Sequence, residues 1–284
     1  MVPYADLLAI RCPERLFSWS EREAMLYALG IGMAADPLDP HELPFVYEKN
    51  LKVMPSFATV AAWGSNPPLA AAKVDYTRVV HAEQGMTLHR AFPSSATIRA
   101  VGGMTAAIDK GDGGALIYGE TELRDADTGE AYATLAVTWL ARADGHFGGP
   151  RDGVSAPHMI PDRPAELSFD IATRPDQALL YRLSGDRNPL HADIDLARRS
   201  GFERPILHGL CTYGLCCRAV IAGWADYDPL RLVSQTARFS APVLPGDTIT
   251  VDMWRDEDVV SFEARVRARG VTVIRNGKAV LQAK

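Results

Sequence analysis

The chain has 284 residues, 47% of them hydrophobic and 23% charged, the proportions of an ordinary globular protein with room for two halves or one large domain. Thirty Lys and Arg stand against 35 Asp and Glu, a net charge of −5, so no global basic field recruits nucleic acid or an acidic membrane surface, and a phosphate-rich ligand needs a local basic patch. No apolar run is long enough to span a bilayer, the N-terminus M-V-P-Y-A-D lacks a basic segment followed by an apolar one, and the C-terminus L-Q-A-K is not an S-K-L address; a cytoplasmic location without membrane attachment is the expectation.

In chain order, Ser20-x-x-Glu23 is a capping box, opening a helix through Met25, Leu26 and Leu29 that stops at Gly30. Asp36–Pro40 is a turn-rich loop, and Phe45-Val46-Tyr47 and Leu51-Lys52-Val53 are predicted as short strands. Phe57–Trp63 is a short apolar segment closed at once by Gly64-Ser65-Asn66-Pro67-Pro68. From Tyr76 the pattern turns to strands, Thr97–Val101, Ala115–Arg124 and Glu130–Arg142, with a hairpin turn at Asp125–Gly129. This half also carries His81, Glu83 and Lys110, the last beside the glycine-rich Gly111–Gly114. Lys110 either meets a phosphate there or is simply solvated. The Gly-, Pro-, Asp- and Arg-rich stretch Gly145–Pro164 predicts the junction between a first half, 1–150, and a second, 151–284.

After a short strand at Ser168–Thr173 comes the stretch around which the chain is organised, Tyr181–Gly209. A helix between Pro175 and Gly185 leads into G-D-R-N-P-L-H, which sets Asp186 and His191 at fixed spacing on a stiff loop. Asn188 precedes a proline and is pushed towards an extended conformation, so the segment between acid and imidazole is not helical. Asp193 can cap a short helix ending at Gly201. Two readings fit this spacing: general acid–base chemistry by a paired carboxylate and imidazole, or a turn whose Asp caps a helix and whose His lies on the surface. A long helix follows from Gly209 to about Trp224, with Leu210, Tyr213, Cys217, Val220, Ile221 and Trp224 on one face and small residues, Gly214, Ala219, Ala222 and Gly223, where a sheet can wrap closely. Its first N–H, on Gly209, can hold an oxyanion, or Gly209 is only a bend. Strands are predicted at Leu232–Phe239, Thr248–Trp254, Val259–Ala268 and Val271–Leu281, with turns at Pro245-Gly246-Asp247 and a hairpin signal at Asn276-Gly277. Both halves thus end in strand-rich blocks, the layout of a duplicated module. Of the four cysteines, Cys12, Cys211, Cys216 and Cys217, three fall in the long helix as small buried residues; their spacing fits neither a disulfide framework nor a metal site, and predicts a reducing compartment.

G-D-x-N-P-L-H-x-D, followed by G-F-x-x-P-I-L-H-G-L-C-T, resembles the signature of the MaoC-like (R)-specific enoyl-CoA hydratases (hydratase 2), including the hydratase 2 domain of peroxisomal multifunctional enzymes type 2. The likeness runs over nearly the whole chain, through Glu21–Gly32, Phe45–Glu48, Val79–Gln84, Asp109–Gly113, Tyr181–His191 and Ala237–Val243. It implies an α+β double hot dog, two antiparallel sheets each wrapped around a helix, with the helix of the first half degraded to Phe57–Trp63 and the vacated space taken by the acyl tail of the substrate. It also implies a catalytic set of Asp186, Asn188, His191 and Gly209, with substrate contacts from His81, Ala82, Lys110, Arg187, Pro189, Leu190 and Phe239. Where related hydratases read His-Gly, this chain reads His81-Ala82, which weakens one contact if backbone and ligand approach closely there.

The reaction implied is reversible hydration of a trans-2-enoyl-CoA to the (3R)-3-hydroxyacyl-CoA. It needs a base for the water that attacks C3, an acid for C2, and donors for the thioester oxygen. Asp186 and His191 can act as a coupled pair around one water, without either role being assigned to one residue. No metal and no separate cofactor is expected, since one His with acids is not a zinc ligand cluster and coenzyme A is part of the substrate. The rivals are a hydratase or dehydratase of another thioester (branched, dicarboxylic, steroid side-chain or carrier-protein linked), a non-catalytic acyl-CoA binding protein, and a thioesterase; intact Asp186, Asn188 and His191 count against the binding protein, and the G-D-x-N-P-L-H motif counts against a thioesterase because hot-dog thioesterases put their acid elsewhere. The chain either forms a homodimer or, already holding two paired halves, stays single.

Overall fold

The computed structural model describes residues 1–154 and 156–282; Ser155 of the linker and the last two residues of the C-terminal tetrad fall outside it. The elements are α1 (Tyr4–Leu8), β1 (Arg11–Trp19), α2 (Glu21–Gly30), α3 (Ala58–Ala61), β2 (Val79–Leu88), β3 (Ala96–Asp109), β4 (Ala115–Asp125), β5 (Ala131–Ala141), β6 (Leu167–Ala172), α4 (Gln177–Tyr181), α5 (Ile194–Arg199), α6 (Gly209–Trp224), β7 (Leu232–Phe239), β8 (Thr248–Asp256), β9 (Val259–Val266) and β10 (Val271–Leu281). All ten strands join in one sheet, in the order β1-β3-β4-β5-β2-β7-β10-β9-β8-β6, and every pairing is antiparallel. Each half has the same internal order: first, third, fourth, fifth, second strand. The halves meet head to head where β2 pairs β7, from Glu83↔Arg238 to Thr87↔Ser234. This is the double hot dog, and the repeated order is the duplication that strand content alone suggested.

Local chemistry explains where the helices begin. Ser20 and Glu23 form the capping box, the Glu23 carboxylate accepting the Ser20 N–H at 2.8 Å. Helix α6 is buried from Leu210 to Ile221 and packs against β6, β7, β8 and β10 of its own half and β2 of the other. Two of its glycines permit that approach: a Cβ on Gly214 would sit 2.6 Å from Ile31 Cγ2, and one on Gly223 2.5 Å from Leu167 Cδ2. Arg218 is buried with them, and its guanidinium meets the equally buried Glu42 at 2.7 Å, so neither charge is left unpaired in the interior.

The helix of the first half is short, as its proline-rich boundary implies. A 3-10 turn at Pro55–Phe57 runs into the four residues of α3. Aromatic rings pack around this short segment: Trp19 on Phe57 (5.5 Å) and Phe92 (5.7 Å), and Tyr27 on Phe57 (5.7 Å). These residues and the inward face of α6 belong to one core running through both halves. A smaller cluster, including Leu7, Ile117 and Trp139, covers the other face of the first half's sheet under α1 and the segment before β2.

Three local expectations are corrected. Phe45–Tyr47 and Leu51–Val53 are not strands: Leu43–Phe45 is a 3-10 turn with Pro44 in its first turn, and the chain beyond is irregular, because short apolar runs carry no information on whether a partner strand exists. Asn276-Gly277 is not a hairpin turn. It lies inside β10 at a register shift against β9, with Asn276 at φ 54°. A Cβ on Gly277 would fall 2.4 Å from the Phe262 ring, so the dipeptide supplies the positive φ and missing side chain of a bulge. The turn between β9 and β10 is instead Arg267–Arg269 with Gly270 at φ 63°, which shortens the strand predicted to reach Ala268. Helix α1 and strand β1, ahead of Ser20, were not foreseen.

Candidate active site

The loop after α4 is held by its own polar side chains. A 3-10 turn, Arg182–Ser184, ends at Gly185, whose φ of 131° and ψ of −40° suit no other residue well. Trp63, just beyond α3 of the other half, packs on that glycine: a Cβ there would be 2.7 Å from the indole Cγ. The Asp186 carboxylate then accepts the Asn188 N–H at 3.0 Å, and the Asn188 side-chain oxygen accepts the Leu190 N–H at 3.0 Å. These two Asx turns, with Pro189 opening a 3-10 turn over Pro189–His191, fix the spacing between acid and imidazole. Asn188 is extended, with ψ 123°, as a residue before proline must be. Asp193 caps α5, accepting the N–H groups of Asp195 and Leu196.

His191 is not on the surface. It is 8% exposed and donates its Nδ1–H to the Ile206 carbonyl at 2.8 Å, since a carbonyl can only accept; Nε2 is therefore the bare nitrogen. Burial holds its pKa below the ordinary imidazole value, against the opposing pull of the Ile206 carbonyl and the Asp186 carboxylate, and nearby Arg182 adds to the depression. The surface reading of the motif is thereby set aside.

A further residue completes the cluster, and sequence reasoning had not assigned it a role. His208, the residue before Gly209, is 1% exposed and donates its Nε2–H to the Asp186 backbone carbonyl at 3.1 Å. Its ring stacks on His191 with centroids 3.7 Å apart and planes 28° from parallel, and the Tyr181 ring lies 5.0 Å away. Burial first, and His191 second, push its pKa down to about 3. The signal was available: a second histidine at the end of the apolar Pro205-Ile206-Leu207, directly before a helix.

Asp186, His191 and His208 each bring one potential donor atom within 4.8 Å of the others. Stacking makes this a poor cation site. Imidazole lone pairs lie in their ring planes, and two stacked rings point them side by side, whereas a bound metal needs them to converge at about 2.0–2.1 Å. A water accepted between carboxylate and imidazole meets no such constraint.

As the first residue of α6, Gly209 has an N–H without an intrahelical partner. Phe239 at the end of β7 lies against it, its Cε1 3.3 Å from where a Cβ would be, and Phe239 in turn contacts the His81 ring at 5.0 Å. His81 donates Nε2–H to the Glu83 carbonyl, and burial lowers its pKa to about 4. Ala82 occupies the register shift between β2 and β5, so it is a bulge residue beside the site. Next to it Glu83 and Arg238 bridge the two halves at 2.7 Å. The fold therefore gathers Asp186, Asn188, Pro189, Leu190 and His191 on one turn, with Gly209, Phe239, His81 and Ala82 following through successive contacts. Arg187 is exposed on the same turn, its carbonyl accepting from Arg182 at 3.0 Å. Lys110 stays apart, exposed at the tip of the β3–β4 hairpin. A cavity of about 230 Å³ opens elsewhere, beside the segment leading into α3, lined by Leu51, Val53, Pro55, Leu88, Phe92 and Leu230 among others.

Known proteins share this fold and sequence. Residues 17–143 match the MFE-2 hydratase 2 N-terminal domain and residues 157–277 the MaoC like domain. The chain is 39% identical to the enoyl-CoA hydratase ChsH3 of Mycobacterium tuberculosis, covering 88% of each protein, and 35% identical to the peroxisomal enoyl-CoA hydratase 2 of Arabidopsis thaliana, covering 94% of this chain and 92% of that one. Among solved structures, a MaoC-like dehydratase from Phytophthora capsici superposes with a TM-score of 0.89 at 28% identity, covering 99% of both chains. Two matched domains in the order of the two halves, and relatives aligned nearly end to end, make the chain a member of the MaoC-like enoyl-CoA hydratase 2 family of hydratases and dehydratases.

Proposed function

We propose that this chain catalyses the reversible hydration of trans-2-enoyl-CoA to (3R)-3-hydroxyacyl-CoA. The observation that carries the reading is the pairing of His191 with Asp186: Nδ1–H is given to Ile206, which leaves Nε2 bare as an acceptor, and a ring nitrogen of His191 lies within 4.8 Å of a carboxylate oxygen of Asp186, close enough for both residues to meet one water. In the hydration direction the pair takes one proton from that water as its oxygen bonds to C3. The π electrons of the double bond move towards C2 and the thioester oxygen, where the Gly209 N–H stabilises the charge. The pair then returns a proton to C2, leaving the site as it began. The acid and base belong to the pair as a unit. Asn188 holds the Asp186 carboxylate through its N–H, and Phe239 and His81 form the wall across from the helix start. The acyl tail would run into the first half towards the cavity beside α3, where most of the lining is apolar.

The test is hydration of trans-2-enoyl-CoAs of short, medium and long chain, followed by loss of enoyl thioester absorbance, with Asp186→Ala and His191→Ala beside the wild type. Turnover should fall on the order of 10²–10⁴-fold in each variant with the fold intact, and chiral analysis should return the (3R) product. Activity confined to short or branched substrates would keep the chemistry and refute the tail path; no activity at any chain length would overturn the proposal.

A further inference from the structure

Asp186 and His191 can cooperate only if their relative orientation is fixed, and the Asx turns fix the backbone between them while leaving two freedoms. Held by those turns alone, the loop could rock as a body and one face of the His191 ring would be open to water. One residue outside the motif touches both. His208 reaches from the start of α6, donates to the Asp186 carbonyl at 3.1 Å, and lays its ring on His191 at 3.7 Å. It is itself clamped, with Tyr181 at 5.0 Å and 1% exposure, so it is a rigid prop. Its Nδ1 is buried without a hydrogen-bond partner among the described residues, an arrangement that costs free energy and is not chosen for stability alone.

We propose that His208 is a positioning residue of the hydration site: its N–H anchors the Asp186 backbone to the start of α6, and its ring face shields His191 from water, so that carboxylate, imidazole and the Gly209 N–H keep one geometry. The inference rests on the hydratase reading for its kinetics but not for its structure. The N–H and the ring face separate in two variants. His208→Phe keeps a flat ring on His191 and removes the donor. His208→Gln keeps a donor near the Nε2 position and removes the stack. The groups facing His191 are the Asp186 carboxylate, Arg182, the Ile206 carbonyl and His208 itself, and only the last changes.

Kinetics and histidine NMR should be run on both variants. In His208→Phe, kcat should fall on the order of 10- to 100-fold with little change in KM, the cost of a slightly misplaced catalytic group, and the His191 titration should stay where it is. In His208→Gln, a large part of kcat should return, while the His191 titration and the acidic limb of the pH–rate profile move up towards the ordinary imidazole range as water reaches the ring. A folded His208→Phe variant with wild-type kcat would overturn the anchoring role; an unmoved His191 titration in His208→Gln would overturn the shielding role. The NMR titration needs no turnover. If the wild type fails to hydrate enoyl-CoA but His191 still titrates higher in His208→Gln, the reaction class falls and the shielding role stands.

Discussion

Gly185→Ala puts the link between the two halves to a direct test. Gly185 holds φ at 131°, a conformation that costs an L-residue about 1–3 kcal/mol. The new methyl would lie 2.7 Å from Trp63 Cγ, 2.8 Å from its Cβ and 3.1 Å from its Cδ1. These atoms are the root of the indole and not a flexible tip, so relief requires the ring or the loop to move, at the roughly 1–3 kcal/mol typical of overpacking. Together the loss is about 2–6 kcal/mol, a large share of the 5–15 kcal/mol typical of a domain, with a fall in Tm on the order of 10 °C. Urea and thermal unfolding measure it, and turnover reports whether Asp186, the next residue, has shifted. Trp63→Ala should remove the collisions with Cγ and Cδ1 but not the contact with Cβ or the backbone strain, so a double-mutant cycle should show coupling of about 1–3 kcal/mol between the sites. A Gly185→Ala protein within 1 kcal/mol of wild type, or zero coupling to Trp63, would show that this contact does not shape the loop.

Gly209→Pro removes the proposed oxyanion donor at the first helical position, where proline fits and where His208 is already extended at ψ 137°; kcat should drop by about 10²–10³, the 2.7–4 kcal/mol of one lost donor, and far less in Gly209→Ala, with equal losses counting against the donor. Glu42→Leu should cost about 3–5 kcal/mol by stranding Arg218 in the interior, while the double variant Glu42→Leu/Arg218→Met recovers most of it; chemical denaturation decides, and additive losses would contradict the pairing. Stability should fall on acidification below about pH 6.5, because His81 and His208, with folded pKa values near 4 and near 3, stay neutral while the unfolded chain takes up protons; each contributes up to about 1.4 kcal/mol per pH unit across that window, which unfolding midpoints from pH 4 to 7 would reveal.

How legible the structure was in the sequence depended on whether the deciding contact was local. Helix α6 and strands β7 and β10 run between the residues expected, Gly209 to Trp224, Leu232 to Phe239 and Val271 to Leu281, because helix start, helical face and strand alternation are written within each segment. The Ser20–Glu23 cap is local in the same sense. Asn276-Gly277 was misread because positive φ and a missing Cβ serve a bulge as well as a turn, and only Phe262, on the neighbouring strand, distinguishes them. The Asp186–His191 spacing was readable as a pair, but His191's inward orientation depends on Ile206, fifteen residues away. His208 went unassigned for a similar reason: its importance lies in what it touches, the Asp186 carbonyl and the His191 face. Trp63 against Gly185 joins segments from opposite halves, and no pattern in either one announces the other.

The head-to-head seam at β2 and β7 has an evolutionary side. In an assembly of two identical chains, every substitution is made twice, once in each copy, so a helix cannot be shortened on one side and kept on the other. Joining both copies in one polypeptide lifts that restriction. The central helix could shrink to the four residues of α3 in one copy while α6 keeps sixteen in the other, and the released end could be turned, through Trp63, into a brace for its twin's loop. Such an exchange would give the molecule one reaction centre with an asymmetric wall in place of two equivalent ones. Its binding stoichiometry should show the exchange directly, as one acyl thioester per chain where an unfused pair of modules would take two.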